Sequence, residues 1–305
     1  MHEYLEALKT ILYFSIFNYP ITKEEVYRFS GNKCRQVIDT QLELLISKNI
    51  ISQNDNYYIF ETNVDCIQRR QKGNKMAQDI MPKACKVAKF ITKFPYVESV
   101  SLSGSLSKGY YDDDGDIDFF IITKPNRLWI ARTLLILYKK LFLLNSRKYF
   151  CVNYFISNDN LLIEEQNRFT ATELLTLIPI TGKKCFKKFV ATNAWAKTYL
   201  PNLDIDYSHK ITNIKKPWLS KNIQMICDGN FGEMLDHFFK SITIKKWQSK
   251  FRHLTKEELL IALKSTDTVS KHHPQNFQKK VIDTLNEKYL EVKNEFNLEL
   301  SPEHA

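Results

Sequence analysis

The sequence predicts an α+β chain: a helical N-terminal unit closed by a hairpin, an α/β core, and a helical C-terminal unit. Three observations predict it. Apolar residues recur at helical spacing from Leu5 to Leu45 and again from Phe277 to Phe296. At Val97 the pattern changes to strand, Gly-Ser turn, strand, helix, strand. The 305 residues exceed one typical domain of roughly 100–200 residues, yet only 8 Gly and 9 Pro argue against long flexible linkers. The expected divisions are 1–60, 61–95, 96–206 and 207–305.

Leu5, Leu8, Ile11 and Leu12 mark one face of an opening helix that Pro20 ends. Thr22 and Glu25 form a capping box that starts a second helix. A third, about Lys33 to Lys48, is expected to bury Cys34, Val37, Ile38, Leu42 and Leu45, and Ile50 to Phe60 reads as two short strands around Asn54-Asp55-Asn56. This order is similar to a winged helix, in which the third helix would offer Arg35, Gln36 and Thr40 to a DNA groove. Six Lys or Arg against seven Asp or Glu in residues 1–60 weigh against that use, because phosphate contacts dominate DNA affinity, and favour packing or partner docking.

Residues 61–95 read as a basic helical connector, with eight Lys or Arg against three acids. Beyond the central strands, Asn126 to Leu144 is a Leu-rich helix and Tyr149 to Ile156 a strand. Thr170 and Glu173 make a second capping box, opening a helix that Pro179 and Gly182 end. The last third reads as helical, with Thr255 and Glu258 capping one helix and His273-Pro274 leading into another. Ten Lys or Arg against three acids between 207 and 256 complete a formal net charge of +10, a bias toward anionic partners.

Six widely spaced cysteines without a Cys-x-x-Cys pair suggest reduced thiols and a cytoplasmic setting rather than a zinc ribbon or disulfide framework. The most apolar long stretch, Leu128 to Leu144, contains Arg132, Lys139 and Lys140, too costly for a bilayer span, and the Met-His-Glu start lacks the features of a signal peptide. No Walker-type Gly-Lys-Ser/Thr, no Gly-x-Ser-x-Gly elbow and no His-Glu-x-x-His is present, which leaves P-loop, acyl-hydrolase and zinc-protease chemistry unsupported.

The informative stretch runs from Ser101 to Ile122. Gly104-Ser105 ends a strand, and there free N–H groups, hydroxyls and a missing side chain suit a phosphate. Asp116 and Asp118, two apart, would share one face of a strand, and two adjacent carboxylates call for a hard cation, Mg²⁺ above all. Asp112 to Asp114 read as a solvated turn.

Gly-Ser, a ten-residue spacer and Asp-x-Asp in an apolar strand resemble the signature of the polymerase-β-type nucleotidyltransferase superfamily. Asn193-Ala-Trp195, Leu200-Pro201-Asn202 and the helix from Thr172 to Ile178 look, more loosely, like a group of bacterial nucleotidyltransferase-domain proteins. The resemblance implies a core with a mixed sheet and metal-dependent transfer of a nucleoside monophosphate from an NTP, with release of pyrophosphate. Gly104, Ser105, Ser107 and Lys108 would bind the nucleotide, and Asp116 and Asp118 would be the catalytic metal ligands for two Mg²⁺ ions, or Mn²⁺ in their place. The superfamily adds a third carboxylate; Asn153 stands at that position, with Asp159, Glu164 or Glu165 as substitutes. The acceptor is not named by the sequence: a small molecule or protein is expected before a nucleic acid, and no membrane. The alternative reading is a nucleotide-binding regulatory protein with weak or lost catalysis.

Overall fold

The computed structural model describes residues 5–60, 65–252, 255, 263–272 and 276–304. Helix α1 (Glu6–Ser15) buries Leu8, Ile11 and Leu12 as its spacing predicts. After the two-residue strand β1 (Ile21–Thr22), α2 (Lys23–Arg28) starts at the expected capping box: Glu25 N donates to Thr22 Oγ1 at 3.3 Å, and Thr22 N donates to Glu25 Oε2 at 2.8 Å. Helix α3 (Arg35–Ser47) buries Ile38, Leu42 and Leu45. Cys34, expected in that core, is instead exposed at the N-cap, where the chain has not yet turned into the helix. Strands β2 (Ser52–Asn54) and β3 (Tyr57–Ile59) complete an antiparallel sheet ordered β1-β3-β2.

Helix α4 (Asp65–Ile91) spans the connector. Its Ala77, Ala84, Ala88 and Ile91 recur at spacings of seven, four and three and pack on the central sheet. Arg70 faces the other way, buried, forked onto the Glu25 carboxylate at 2.7 and 2.8 Å and seated between the rings of Tyr19 and Tyr57. This basic residue is thus structural and ties α4 to the N-terminal unit.

The central sheet is mixed, as expected, with five strands among the described residues in the order β7-β4-β5-β6-β8. Strands β4 (Val97–Ser103) and β5 (Asp118–Thr123) are antiparallel. Strand β6 (Cys151–Ser157) runs parallel to β5, reached through the crossover helix α6 (Leu128–Phe142). Alternation splits the faces: Phe119 and Ile121 pack with α4 and α6, while Phe120 and Ile122 pack with α7 (Arg168–Leu175) and α8 (Lys183–Thr192).

The region around α7 departs from two expectations. The helix α7 begins a turn before Thr170: Asn167 is its N-cap, accepting from Thr170 N at 2.9 Å, and Thr170 Oγ1 is buried without a hydrogen-bond partner. Asn167→Ala is therefore expected to cost about 1 kcal/mol in denaturant unfolding, whereas Thr170→Val should be neutral within about 0.5 kcal/mol; the reverse order would restore the Thr170 cap. The helix also stops at Leu175, and Pro179 lies in an edge strand, β7 (Ile178–Thr181), where a missing N–H is tolerated.

The short helix α9 (Ala196–Tyr199) is followed by α10 (Trp218–Cys227) and α11 (Asn230–Lys250). The last third is not helical throughout. Strand β8 (Val269–Lys271) pairs antiparallel with β6, three residues being too short for a periodic signal. Helix α12 (Phe277–Phe296) packs Val281, Leu285, Tyr289 and Val292 into the same core as α1 and α3. The Glu258 cap and the His273-Pro274 entry lie outside the described residues. Among the described residues, no helix is long and apolar enough to cross a membrane.

Candidate functional site

The end of β4, the start of β5 and the start of β6 meet at one end of the sheet. Gly104, first residue of the short helix α5 (Gly104–Ser107), has φ of 68°, and a Cβ there would lie 2.5 Å from Asp118 Oδ2. Only glycine fits both the left-handed backbone and that close approach. The following loop is anchored on α4: Tyr111 N donates to Gly73 O at 3.1 Å, and Asn74 donates to Gly109 O. Asp112 and Asp113 form exposed pairs with Arg69 at 3.8 Å and Lys72 at 3.2 Å, so the connector offsets part of the acidic turn.

A cavity of about 850 Å³ opens beside this end of the sheet. It brings together Gly104, Ser105, Lys108, Asp116, Asp118 and Asn153 of the sequence candidates. Ser107 is not in its wall; the hydroxyl donates back to Gly104 O at 2.9 Å. Lys108 Nζ donates to Gly104 O at 3.0 Å and pairs with Glu173 at 2.7 Å.

Burial pushes the Asp118 carboxyl up to about 6, opposed by the Cys151 thiol's hydrogen bond and aided by the charges of Asp116 and Glu173. Asn153 Nδ2 donates to Asp118 Oδ1 at 3.4 Å, so the position expected for a third acid carries a donor to the second. Two adjoining all-oxygen carboxylates, one held partly protonated by burial and repulsion, fit a hard divalent cation that would restore the ionised form. No group of three or more His, Cys, Asp or Glu suited to a metal ion occurs among the described residues.

Of the substitutes for a third acid, Asp159 is bonded by the Ser157 hydroxyl, and Glu164 and Glu165 are held by Lys264 at 2.6 and 3.1 Å; Glu165 alone reaches the cavity wall. Sequence reasoning missed Glu173, Arg147 and Lys271, which also line the cavity. Glu173 was legible only as a helix cap, and Lys271 only as one lysine among many, since nothing local marks a side chain that the tertiary fold turns inward. Asn193 and Trp195 lie elsewhere: Asn193 braces the chain at Ile163 N, at 2.8 Å, and Leu161 O, at 2.7 Å, and accepts from Trp195 Nε1 at 3.2 Å.

The family model for a nucleotidyltransferase domain matches residues 84–172, a stretch that holds the Gly104-Ser105 turn, the Asp116 and Asp118 pair and Asn153. No curated protein and no solved structure gives a significant match to the chain. Residues 84–172 are a nucleotidyltransferase domain of the polymerase-β-type superfamily.

Proposed function

We propose that the protein transfers a nucleoside monophosphate from an NTP to a hydroxyl-bearing acceptor. The observation that carries this reading is the shared cavity in which the side-chain-free Gly104 abuts the Asp118 carboxylate, with Ser105, Lys108 and Asp116 in the same wall. The acceptor oxygen bonds to the α-phosphorus, the bond to the β-phosphate oxygen breaks, and pyrophosphate leaves. Gly104 and Ser105 take the phosphates at close backbone range. Lys108, drawn from Glu173, adds positive charge to that cradle. Asp116 and Asp118 would hold Mg²⁺, which when bound lowers the pKa of the attacking hydroxyl and stabilises the departing oxygens. Asn153 orients Asp118 through its amide donor but cannot take the hydroxyl proton.

The experiment is incubation with Mg²⁺, each labelled NTP and a size-separated cell extract. Labelled acceptor together with pyrophosphate is the expected result; NTPs left intact in every fraction count against transfer.

A second reading, a nucleotide-binding regulator with weak catalysis, is favoured by Asn153 at the third-acid position. Tight NTP binding without turnover would select it. Under the transfer reading, Asn153→Asp should raise turnover about a hundredfold, the lower end of what a positioned general base supplies; unchanged turnover at saturating Mg²⁺ would show that no third acid is missing.

The N-terminal unit, three helices and the β1-β3-β2 sheet, supports a winged-helix reading used for packing rather than DNA. Arg35, the basic candidate on α3, is paired with Glu24 at 2.6 Å and sits over the Tyr27 ring.

A further inference from the structure

The cavity continues past the acid pair to a second cation. Lys271 pairs with Tyr154 across β8 and β6, and Tyr154 pairs with Phe120 across β6 and β5, so their side chains share the face that carries the cavity. Two strand spacings put Lys271 roughly 10 Å from the β5 column that begins at Asp118.

An ammonium has three donors, yet among the described residues Lys271 Nζ makes one hydrogen bond, to the neutral Gln278 Oε1 at 3.2 Å. Glu165 is within electrostatic reach, but its carboxylate is held by Lys264 at 3.1 Å, and no carboxylate is at ion-pair distance from Lys271 among the described residues. Burial accordingly holds its pKa below the ordinary lysine value. Such a group is costly unless something anionic shares the space.

Next to it the wall is aromatic. Phe277 of α12 lies 6.2 Å from Phe17, just beyond α1, and 6.0 Å from Phe169 of α7, ring to ring, and all three line the cavity. Three segments far apart in sequence therefore converge on one apolar surface beside one half-buried cation.

We propose that Lys271 and Gln278, with Phe17, Phe169 and Phe277, form an acceptor subsite for a small amphipathic anion: one carboxylate or phosphate on Lys271, an apolar body on the rings, and a hydroxyl extending toward Asp118. The acceptor role rests on the nucleotidyl-transfer reading; the anion subsite does not. A nucleic-acid end is the poorer occupant, because its charges repeat along the strand, whereas this wall pairs one cation with apolar surface.

The test uses the full chain and two fluorescent probes of similar body, anionic 8-anilinonaphthalene-1-sulfonate and neutral N-phenyl-1-naphthylamine, with Mg-ATP binding measured in parallel by calorimetry. Lys271→Met should weaken the anionic probe about tenfold, the scale of one charge-assisted hydrogen bond, and leave the neutral probe and Mg-ATP unchanged. Lys271→Arg should keep the anionic probe within about threefold. The exposed residues Phe231, Met234 and Phe238 of α11 would take both dyes, so only the difference made at Lys271 counts. If Lys271→Met fails to fold, Gln278→Leu, which removes the amide that positions the ammonium, gives the same comparison.

Equal probe binding with and without Lys271 overturns the subsite. A parallel loss of Mg-ATP affinity overturns it as well, by making Lys271 a triphosphate contact. Lys271-dependent probe binding in a protein that takes up no NTP would uphold the anion subsite and remove the transfer reading instead.

Discussion

Asp116→Asn and Asp118→Asn are each expected to lower turnover by at least about a hundredfold, the scale of losing one main electrostatic stabiliser of a transition state. The two carboxylates share the cavity wall with the Gly104-Ser105 turn, and each substitution keeps the side-chain volume while removing the charge that would hold the cation. The loss belongs in the chemical step. Nucleotide affinity without metal should change little, because Gly104, Ser105 and Lys108, which line the same cavity, remain. The measurement is steady-state pyrophosphate release beside calorimetric NTP binding. Release at the wild-type rate by both variants would take the acid pair out of the chemistry.

The placing of the Asp116 and Asp118 pair beside the Gly104-Ser105 turn was legible in the sequence because it depends on local rules. Gly104 and Asp118 lie close along the chain, at facing ends of two antiparallel neighbours, Ser103 pairing directly with Asp118. The Thr22 and Glu25 cap was legible for the same reason, being complete within four residues. What escaped was assembled at long range. Lys271 joins the site through a three-residue strand pairing with β6, and Phe277 through a helix whose other face packs on α1. Glu173 carried the wrong local meaning: Thr170 and Glu173 have the spacing of a cap, but Asn167 had already started the helix, which left Glu173 free to reach Lys108. Pro179 misled in the same manner, since a proline that ends helices also suits an edge strand, and only the pairing with β4 distinguishes the two.

The same Asp118→Asn substitution that removes turnover is expected to make the metal-free protein more stable at neutral pH. Asp118 ionises with a pKa pushed from 3.8 to about 6 in the folded chain, chiefly by burial. A group whose folded pKa is raised favours the folded state below its unfolded pKa, and that contribution is lost as the pH climbs through the folded value. Above about pH 6 Asp118 is therefore ionised in both states, but the native protein holds that charge buried beside Asp116 whereas the unfolded chain leaves it solvated. At 1.36 kcal/mol per pKa unit the cost is on the order of 1–3 kcal/mol, and a neutral amide avoids it. Thermal melts in EDTA should place Asp118→Asn above the wild type at pH 8, with the gap closing as the pH falls toward 4. Asp236, also raised to about 6 by burial, contributes to both proteins alike, so the difference between them isolates Asp118. Mg²⁺ should reverse the order at pH 8, because a cation that binds only the folded wild type adds stability by mass action and the amide variant has lost a ligand for it. Equal melting points at pH 8 in EDTA would mean that Asp118 is solvated enough to ionise without cost, and the electrostatic reason for a cation between the two acids would go with it.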